Sequence, residues 1–127
     1  MTGRPRGIRH AAAHRTGIRA ERLAAWFLML KGYRIIARRY AAGGGEIDIV
    51  ARRGRTVIFV EVKARGALDD ARIAITAMKE RRIVGAVRHW LARNAWAMPL
   101  TLRCDAVFIG RRSFPRHVAN VMTLYLD

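Results

Sequence analysis

Acidic residues on two neighbouring predicted strands are the side chains of this sequence best suited to chemistry. Glu46 and Asp48 lie in a segment that alternates acidic and apolar residues, and Glu61 and Lys63 lie in a segment rich in β-branched residues. Both patterns predict strands, joined by a turn at Arg53-Gly54. Because side chains on a strand alternate between faces with period two, each strand keeps its charged residues on one face.

The pairing register decides whether the two charged faces coincide. A two-residue turn at Arg53-Gly54 pairs Asp48 with Phe59 and also places Glu46 opposite Glu61. A three-residue turn would slip the register by one residue and send the acids to opposite faces. We expect the coincident register, because it leaves the other face of the hairpin wholly apolar and ready to form a core.

Carboxylates placed opposite each other on a sheet repel, so such a cluster requires a compensating cation or raised pKa values. Oxygen ligands that are open to water suit Mg²⁺ or Mn²⁺. The alternative is the solvated face of an ordinary sheet, in which Lys63 neutralises Glu61. The chain has 9 acidic and 25 basic residues, and the concentration of scarce negative charge at one place favours the metal site.

The composition indicates one globular domain with a strong preference for polyanions. The chain has 127 residues, is 52% hydrophobic and carries a formal net charge of +16. This charge favours nucleic acid first and an anionic membrane second. We expect no membrane partner, since no segment approaches the ~20 apolar residues of a span and no strongly amphipathic basic helix is evident.

Cysteine usage predicts a cytoplasmic protein. The single cysteine, Cys104, excludes an intrachain disulfide and a cysteine-based zinc cluster, as is typical of a reducing compartment. We interpret it as a small core residue.

The remaining patterns predict an α/β domain with one mixed sheet flanked by helices. Residues 1–16 form a basic arm that we expect to be disordered, and residues 17–127 form a single domain. The predicted elements are a helix over Gly17–Leu30 with a stripe of Leu23, Phe27 and Leu30, a strand over Tyr33–Tyr40, a flexible loop over Ala41–Gly45, the two acidic strands, a helix that starts between Asp70 and Thr76 and ends near Asn94, a strand over Leu100–Ile109 and a last strand over His117–Leu126.

Asp48 followed by Glu61-Val62-Lys63 matches the Asp…Glu-x-Lys signature of the restriction-endonuclease-like (PD-(D/E)XK) nuclease superfamily. A longer set of motifs resembles the YraN family of small bacterial proteins, which is similar to Holliday-junction resolvases. The chain departs from that family at Arg39, where asparagine is usual, and at Cys104 and Ala106. The motifs that carry the resemblance are Gly17…Glu21…Ala24, Lys31-Gly32-Tyr33, Gly45-Glu46-Ile47-Asp48-Ile49-Val50, Phe59-Val60-Glu61-Val62-Lys63 and Lys79-x-x-Arg82.

The resemblance implies a restriction-endonuclease-like core and a metal-dependent endonuclease that hydrolyses phosphodiester bonds of structured or branched DNA. In this interpretation Asp48 and Glu61 ligate Mg²⁺ or Mn²⁺, and Glu21 supplies a further ligand. Lys63 positions the attacking water or stabilises the charge of the transition state. Glu46 either joins the metal ligands or pairs with an arginine. The catalytic candidates are therefore Asp48, Glu61, Lys63 and Glu21.

Basic residues near this site would hold the nucleic-acid backbone through contacts that are independent of base sequence. The candidates are Arg65, Lys79 and Arg82. A junction-cleaving enzyme would need two sites and hence a homodimer. The alternatives are a non-catalytic nucleic-acid-binding protein with the same fold, or a basic protein that docks on a membrane or on ribosomal RNA.

Overall fold

The structure, a computed structural model, describes residues 3–64, 77–110, 112–124 and 126, with side chains within 17–63, 80–110, 112–124 and 126. These residues confirm the predicted α/β class, with a five-stranded mixed sheet flanked by two helices. A short 3₁₀ turn follows the second helix. The elements are α1 (Gly3–Leu30), β1 (Arg34–Ala42), β2 (Gly45–Arg53), β3 (Thr56–Ala64), α2 (Ala77–Arg93), the 3₁₀ turn (Ala95–Ala97), β4 (Thr101–Ile109) and β5 (Arg116–Met122).

The strands lie in the sheet in chain order, so each is paired with its neighbours in the sequence. The β1–β2, β2–β3 and β4–β5 pairs are antiparallel, whereas β3 and β4 are parallel. A parallel pair requires a crossover that returns the chain to the same end of the sheet. The segment containing α2 provides that crossover. The predicted start of this helix between Asp70 and Thr76 lies outside the described residues.

Each face of the sheet carries a separate hydrophobic core under one helix. On the α2 side Val50 and Phe59 pack against α2 residues that include Val87 and Trp90. On the α1 side the core is formed by Ala24, Ala25, Leu28, Ile49, Ala51, Ile58, Val60 and Val107 with Tyr33. The alternative interpretation, in which one face of the acidic hairpin is simply the solvated face of a sheet, is therefore wrong for most of the length of the hairpin.

The burial of α1 differs from the predicted pattern. Leu23 and Leu30 are 54% and 84% exposed, whereas Ala24, Ala25 and Leu28 are buried. The predicted stripe is wrong for Leu23 and Leu30, whereas Phe27 is partly buried and packs against the α1-side core as predicted. The two small alanines allow the helix to approach the sheet more closely than leucines would. Within the described part of the chain, neither helix combines the length and apolar character that a bilayer crossing needs.

The N-terminal boundary of α1 also differs from the prediction. Its backbone is helical from Gly3, whereas the sequence analysis assigned residues 1–16 to a disordered arm and started the helix at Gly17. Alanine and arginine both have high helix propensity, and the run Ala11-Ala12-Ala13 with its neighbouring arginines supplies both. The division of the chain into an arm and a single domain over 17–127 stays a prediction.

The glycines between β1 and β2 form a tight turn packed against α2. β1 continues to Ala42, and Gly43-Gly44 makes the turn with φ of +61° and +82°. A Cβ atom on Gly45 would lie 2.0 Å from the carbonyl oxygen of Arg82, and one on Gly43 would lie 2.5 Å from that of Gly85. The predicted flexible loop is therefore wrong, since these glycines let two backbones meet.

We expect Gly45→Ala to lower the free energy of unfolding by about 1–3 kcal/mol, because the added methyl overlaps a backbone oxygen of α2 that cannot move alone. Urea unfolding followed by circular dichroism measures this change. Gly17→Ala is the matched control, since its Cβ meets nothing within 4 Å and alanine favours a helix. Equal stability of the Gly45→Ala variant and the wild type would contradict the close packing of the hairpin on α2.

Candidate active site

Asp48 lies where β2 separates from β3. The last backbone pair between these strands is Ile49 with Val60, so Asp48 is the first residue beyond the ladder. The backbone N–H of Val62 donates a hydrogen bond to Asp48 Oδ2 at 2.7 Å. The Val62 N–H lies beyond the last backbone pair of β2 and β3, and the Asp48 carboxylate accepts its hydrogen bond instead. This bond fixes Asp48 next to the Glu61-Val62-Lys63 segment.

The β2–β3 register differs from the predicted one by two residues. Arg53 pairs with Thr56 and Val50 pairs with Phe59, so the turn is Gly54-Arg55. The predicted turn at Arg53-Gly54, with Asp48 opposite Phe59, is wrong. Gly54 has φ of +61° at the first turn position, where a hairpin turn of type II′ favours glycine. A shift of two residues does not exchange the two faces of the hairpin, as a shift of one would, and it brings Asp48 closer to Glu61.

Strand alternation fails at one position of β2. Ile47 packs in the α2-side core with Val50, whereas alternation predicts that it shares a face with Ile49. The change occurs where β2 is no longer paired with β3 and pairs only with β1, so the sheet constrains the pleat from one side alone. On β3 the predicted alternation is confirmed, since Val57 and Phe59 contact the α2-side core and Ile58 and Val60 the α1-side core.

Glu61 and Lys63 lie side by side on β3. Glu61 Oε1 and Lys63 Nζ are 3.9 Å apart, and their side chains are 16% and 20% exposed. This ion pair is the contact that the alternative interpretation of a charged sheet face predicted. It also leaves one cation and one carboxylate at a partly open edge beside Asp48, which is the arrangement that the nuclease interpretation requires.

Glu21 extends from α1 towards the same edge. It is only 7% exposed because it lies on the buried face of the helix, with Ala24, Ala25 and Leu28 at the following turns. Its Oε1 lies 3.7 Å from Arg39 Nε. A carboxylate buried in this way requires a charged or hydrogen-bonding neighbour, and the position over the sheet agrees with the predicted approach of Glu21 to the acidic strands.

Arg39 occupies the point of β1 that faces Asp48. The flanking residues Arg38 and Tyr40 pair with Ile49 and Ile47. Arg39 itself has φ of +53°, a left-handed conformation that side chains other than glycine, asparagine and aspartate adopt reluctantly. Backbone strain of this kind costs about 1–3 kcal/mol and is concentrated at functional sites in folded proteins.

The four acids interact electrostatically. Burial, together with repulsion from the carboxylates of Glu61, Glu21 and Glu46, raises the pKa of Asp48 to about 7, although the hydrogen bond from the Val62 N–H opposes the shift. The other three predicted carboxylates are therefore all near enough to Asp48 to change its pKa. Glu46 is the most exposed of them and lies at the start of β2.

The donor set suits a divalent cation that keeps part of its water shell. Among the described residues, no group of three or more His, Cys, Asp or Glu side chains is assembled as a ready metal site. Of the neighbouring carboxylates, Glu61 has the largest repulsive effect on Asp48. Mg²⁺ commonly binds one or two carboxylates and fills its remaining positions with water and substrate oxygens. A cation would also relieve the repulsion that raises the pKa of Asp48.

The predicted nucleic-acid contacts are only partly described. Arg65 lies outside the described residues, and the side chain of Lys79 is not described. Arg82 is exposed on α2, and its carbonyl oxygen is in close approach to Gly45. Arg82 is therefore at the end of the sheet that carries Glu46. Its contact with nucleic acid stays a prediction.

A second charged cluster, centred on Asp105, was not singled out from the sequence. Asp105 is 1% exposed and accepts hydrogen bonds from Arg103 Nε and Nη2 at 2.8 Å each, from His117 Nε2 at 2.7 Å and from the Asn120 N–H at 3.0 Å. Burial alone would raise its pKa, but these bonds lower the pKa to about 2. The hydrogen bonds from His117 and Asn120 to this carboxylate link β5 to β4. In the sequence, the only sign of this cluster was the spacing of Arg103 and Asp105, which places both side chains on one face of β4. Cys104, which lies between them, is buried as predicted.

The pKa of Asp48 predicts how stability depends on pH in the metal-free protein. Its folded pKa of about 7 exceeds the usual 3.8, so the folded protein keeps a proton that the unfolded chain releases between these values. The free energy of unfolding therefore falls as pH rises from about 4 to about 7. We expect Asp48→Asn to remove this component and to be more stable than the wild type at about pH 8, as measured by urea unfolding in EDTA.

Glu80→Gln is the matched control, because it removes a carboxylate in the first turn of α2. Asp105 does not interfere, since its lowered pKa confines its stabilising contribution to pH values above about 4 and its loss to the range near 2. Parallel pH profiles for the Asp48→Asn variant and the wild type between about pH 4 and 7 would contradict the electrostatic account of the site.

Comparison with known proteins identifies the family. Residues 20–109 match the uncharacterised protein family UPF0102. A UPF0102 protein of Methylorubrum extorquens (strain PA1) is 55% identical over 118 residues, which cover 93% of this chain and 92% of the relative. One of Methylobacterium radiotolerans is 56% identical over 126 residues, 98% of each chain, and one of Bradyrhizobium diazoefficiens is 55% identical over 107 residues. The chain therefore belongs to the UPF0102 family.

Proposed function

We propose that this UPF0102 protein is a metal-dependent endonuclease that hydrolyses phosphodiester bonds of nucleic acid. The observation that carries the proposal is the position of Asp48, which is bonded to the backbone of Val62 between Glu61 and Lys63. Glu21 approaches the same edge from α1. Two carboxylates, a lysine and a helix-borne acid thus meet at one open end of a strand pair, which is the arrangement implied by the Asp…Glu-x-Lys signature.

The charge of the chain supports nucleic acid as the substrate. A net charge of +16 attracts a polyanion, whereas the local cluster of carboxylates would repel phosphate unless a cation lies between them. A divalent ion resolves this conflict, because it can be shared between carboxylates and a phosphodiester. The resemblance to the YraN family and to Holliday-junction resolvases favours structured or branched DNA, and cleavage of a junction would engage a homodimer.

Mg²⁺ or Mn²⁺, when bound, would polarise the scissile phosphate and lower the pKa of a coordinated water. Asp48 and Glu61 would hold the ion, with Glu21 and Glu46 contributing directly or through water. The bond from the Val62 N–H orients the Asp48 carboxylate in advance. Loss of the proton that Asp48 holds below about pH 7 makes the carboxylate available as a ligand, so metal affinity should rise with pH through this range.

Lys63 would act on the reacting phosphate. Its Nζ is 3.9 Å from Glu61 Oε1, which keeps the ammonium at the edge where the substrate would approach. A positioned cation stabilises the negative charge that develops on the phosphoryl oxygens in the transition state. Arg82, exposed at the same end of the sheet, would hold the backbone without reading bases.

Cleavage assays on linear, flapped and four-way-junction DNA and on RNA, in Mg²⁺ and in Mn²⁺, test the proposal. We expect Asp48→Asn and Glu61→Gln each to lower the cleavage rate about 100-fold or more, because each removes a carboxylate oxygen ligand and its charge. Lys63→Gln should lower the rate with little change in binding. Glu80→Gln again serves as the control, since it changes the same chemical group away from the cluster.

A non-catalytic nucleic-acid-binding protein is the second candidate, favoured by the lack of an assembled three-ligand group among the described residues. Binding measured in EDTA separates the two functions. If the wild type binds DNA or RNA but cleaves no substrate in either metal, the endonuclease proposal is wrong and the binding function stands. Cleavage that persists unchanged in Asp48→Asn would indicate a contaminating nuclease.

A further inference from the structure

A groove at the opposite end of β2 from the acidic cluster combines an exposed aromatic ring with arginines. It is lined by Arg34, Ile35, Ile36, Arg52 and Trp96. Arg34 and Arg52 are paired across β1 and β2, and Arg52 lies four residues along β2 from Asp48, a distance of about 13 Å at strand spacing. The groove is thus separate from the carboxylates and near enough to contact the same nucleic acid.

Trp96 is held firmly although 45% of its surface is exposed. Its ring contacts Trp90 edge-on, with centroids 5.8 Å apart and an interplanar angle of 77°. Its Nε1–H donates to Asn94 Oδ1 at 3.3 Å, and the Arg52 guanidinium carbon lies 5.2 Å from the ring centroid. An aromatic ring that is fixed on several sides but still open to solvent is preorganised for stacking.

The side chains that line the groove indicate which kind of ligand it can bind. The lining residues include two cations, an indole and two aliphatic side chains, and no acid. Arg52 also donates from Nε to the Gly54 carbonyl at 2.9 Å, so its guanidinium plane is fixed beside the ring. Fixed aromatic and guanidinium planes stack with bases, and nearby arginines attract phosphates. Such a combination suits a single strand, whose bases are free to leave the helical stack.

We propose that the groove around Trp96 binds unpaired nucleotides, so that the protein prefers nucleic acid with a single-stranded segment beside the cleaved bond. This inference rests on the proposed nuclease function for its biological purpose, but the binding itself requires neither metal nor cleavage. A base stacks on the open surface of Trp96, and Arg34 and Arg52 contact the adjoining phosphates. The stacking is independent of base identity, because every base has a π face.

The test is binding of a fluorescein-labelled oligothymidylate and of a duplex of equal length, in EDTA, followed by anisotropy. We expect Trp96→Ala to weaken binding of the single strand about 5-fold or more, and to weaken duplex binding less. Trp96→Phe should keep most of the affinity, because it preserves a stacking face. Trp26→Ala is the matched control, since Trp26 is 68% exposed on α1 and lies outside the groove.

Arg34→Gln gives a measurement that does not disturb the aromatic packing. It should lower the slope of log affinity against log salt by about one for the single strand, since one phosphate contact is lost. An oligouridylate tested in parallel shows whether DNA or RNA is preferred. Equal single-strand affinities for Trp96→Ala and Trp26→Ala, or an equal loss on duplex and single strand, would overturn the proposal. Failure of wild-type cleavage in Mg²⁺ would instead contradict the nuclease function and leave these binding results interpretable.

Discussion

The site depends on one unfavourable interaction, the placement of the partly buried Asp48 carboxylate beside other carboxylates. Burial and the charges of Glu61, Glu21 and Glu46 raise its pKa to about 7. A shift of this size costs the ionised folded protein on the order of a few kcal/mol, a considerable part of the ~5–15 kcal/mol that stabilises a typical domain. The fold sustains this repulsion, which a divalent cation would relieve.

The two helices and the sheet hold that arrangement in place. On one face the alanines of α1 allow close packing, and the same helical face carries Glu21 towards the acidic edge. On the other face Gly45 meets the backbone of α2 at Arg82, which fixes the start of β2. Asp105, which is also buried, has a lowered pKa because Arg103 and His117 donate hydrogen bonds to it. The contrast separates a carboxylate that neighbouring donors satisfy from one whose pKa burial and repulsion raise.

Strand alternation and charge predicted much of the site from the sequence. The period of two correctly placed Glu61 with Lys63 on β3. The turn is Gly54-Arg55 rather than Arg53-Gly54, which shifts the register by two residues and so does not exchange the two faces of the hairpin. A single glycine in a short turn does not reveal whether it takes the first or the second position, so the exact pairing was beyond the sequence. The break at Ile47 arises where pairing between the strands ends, which is a tertiary feature.

Other features depended on contacts that no local pattern encodes. The apolar run that ends α1 surrounds the helix, so it does not show which side faces the sheet. The cluster around Asp105 requires His117 from another strand, whose register follows a turn without a clear signature. The groove at Trp96 brings the 3₁₀ turn after α2 together with β1 and β2, which are distant from that turn in the sequence.

The pKa of Asp48 in the metal-free protein is the central quantity, and carboxyl ¹³C NMR measures it directly, with Asp48→Asn assigning the resonance. The account predicts a midpoint of about 7 in EDTA, which should fall well below this value when Mg²⁺ is added because the ion favours the carboxylate. A midpoint near the usual 3.8 without metal, or one that does not respond to Mg²⁺, would contradict it.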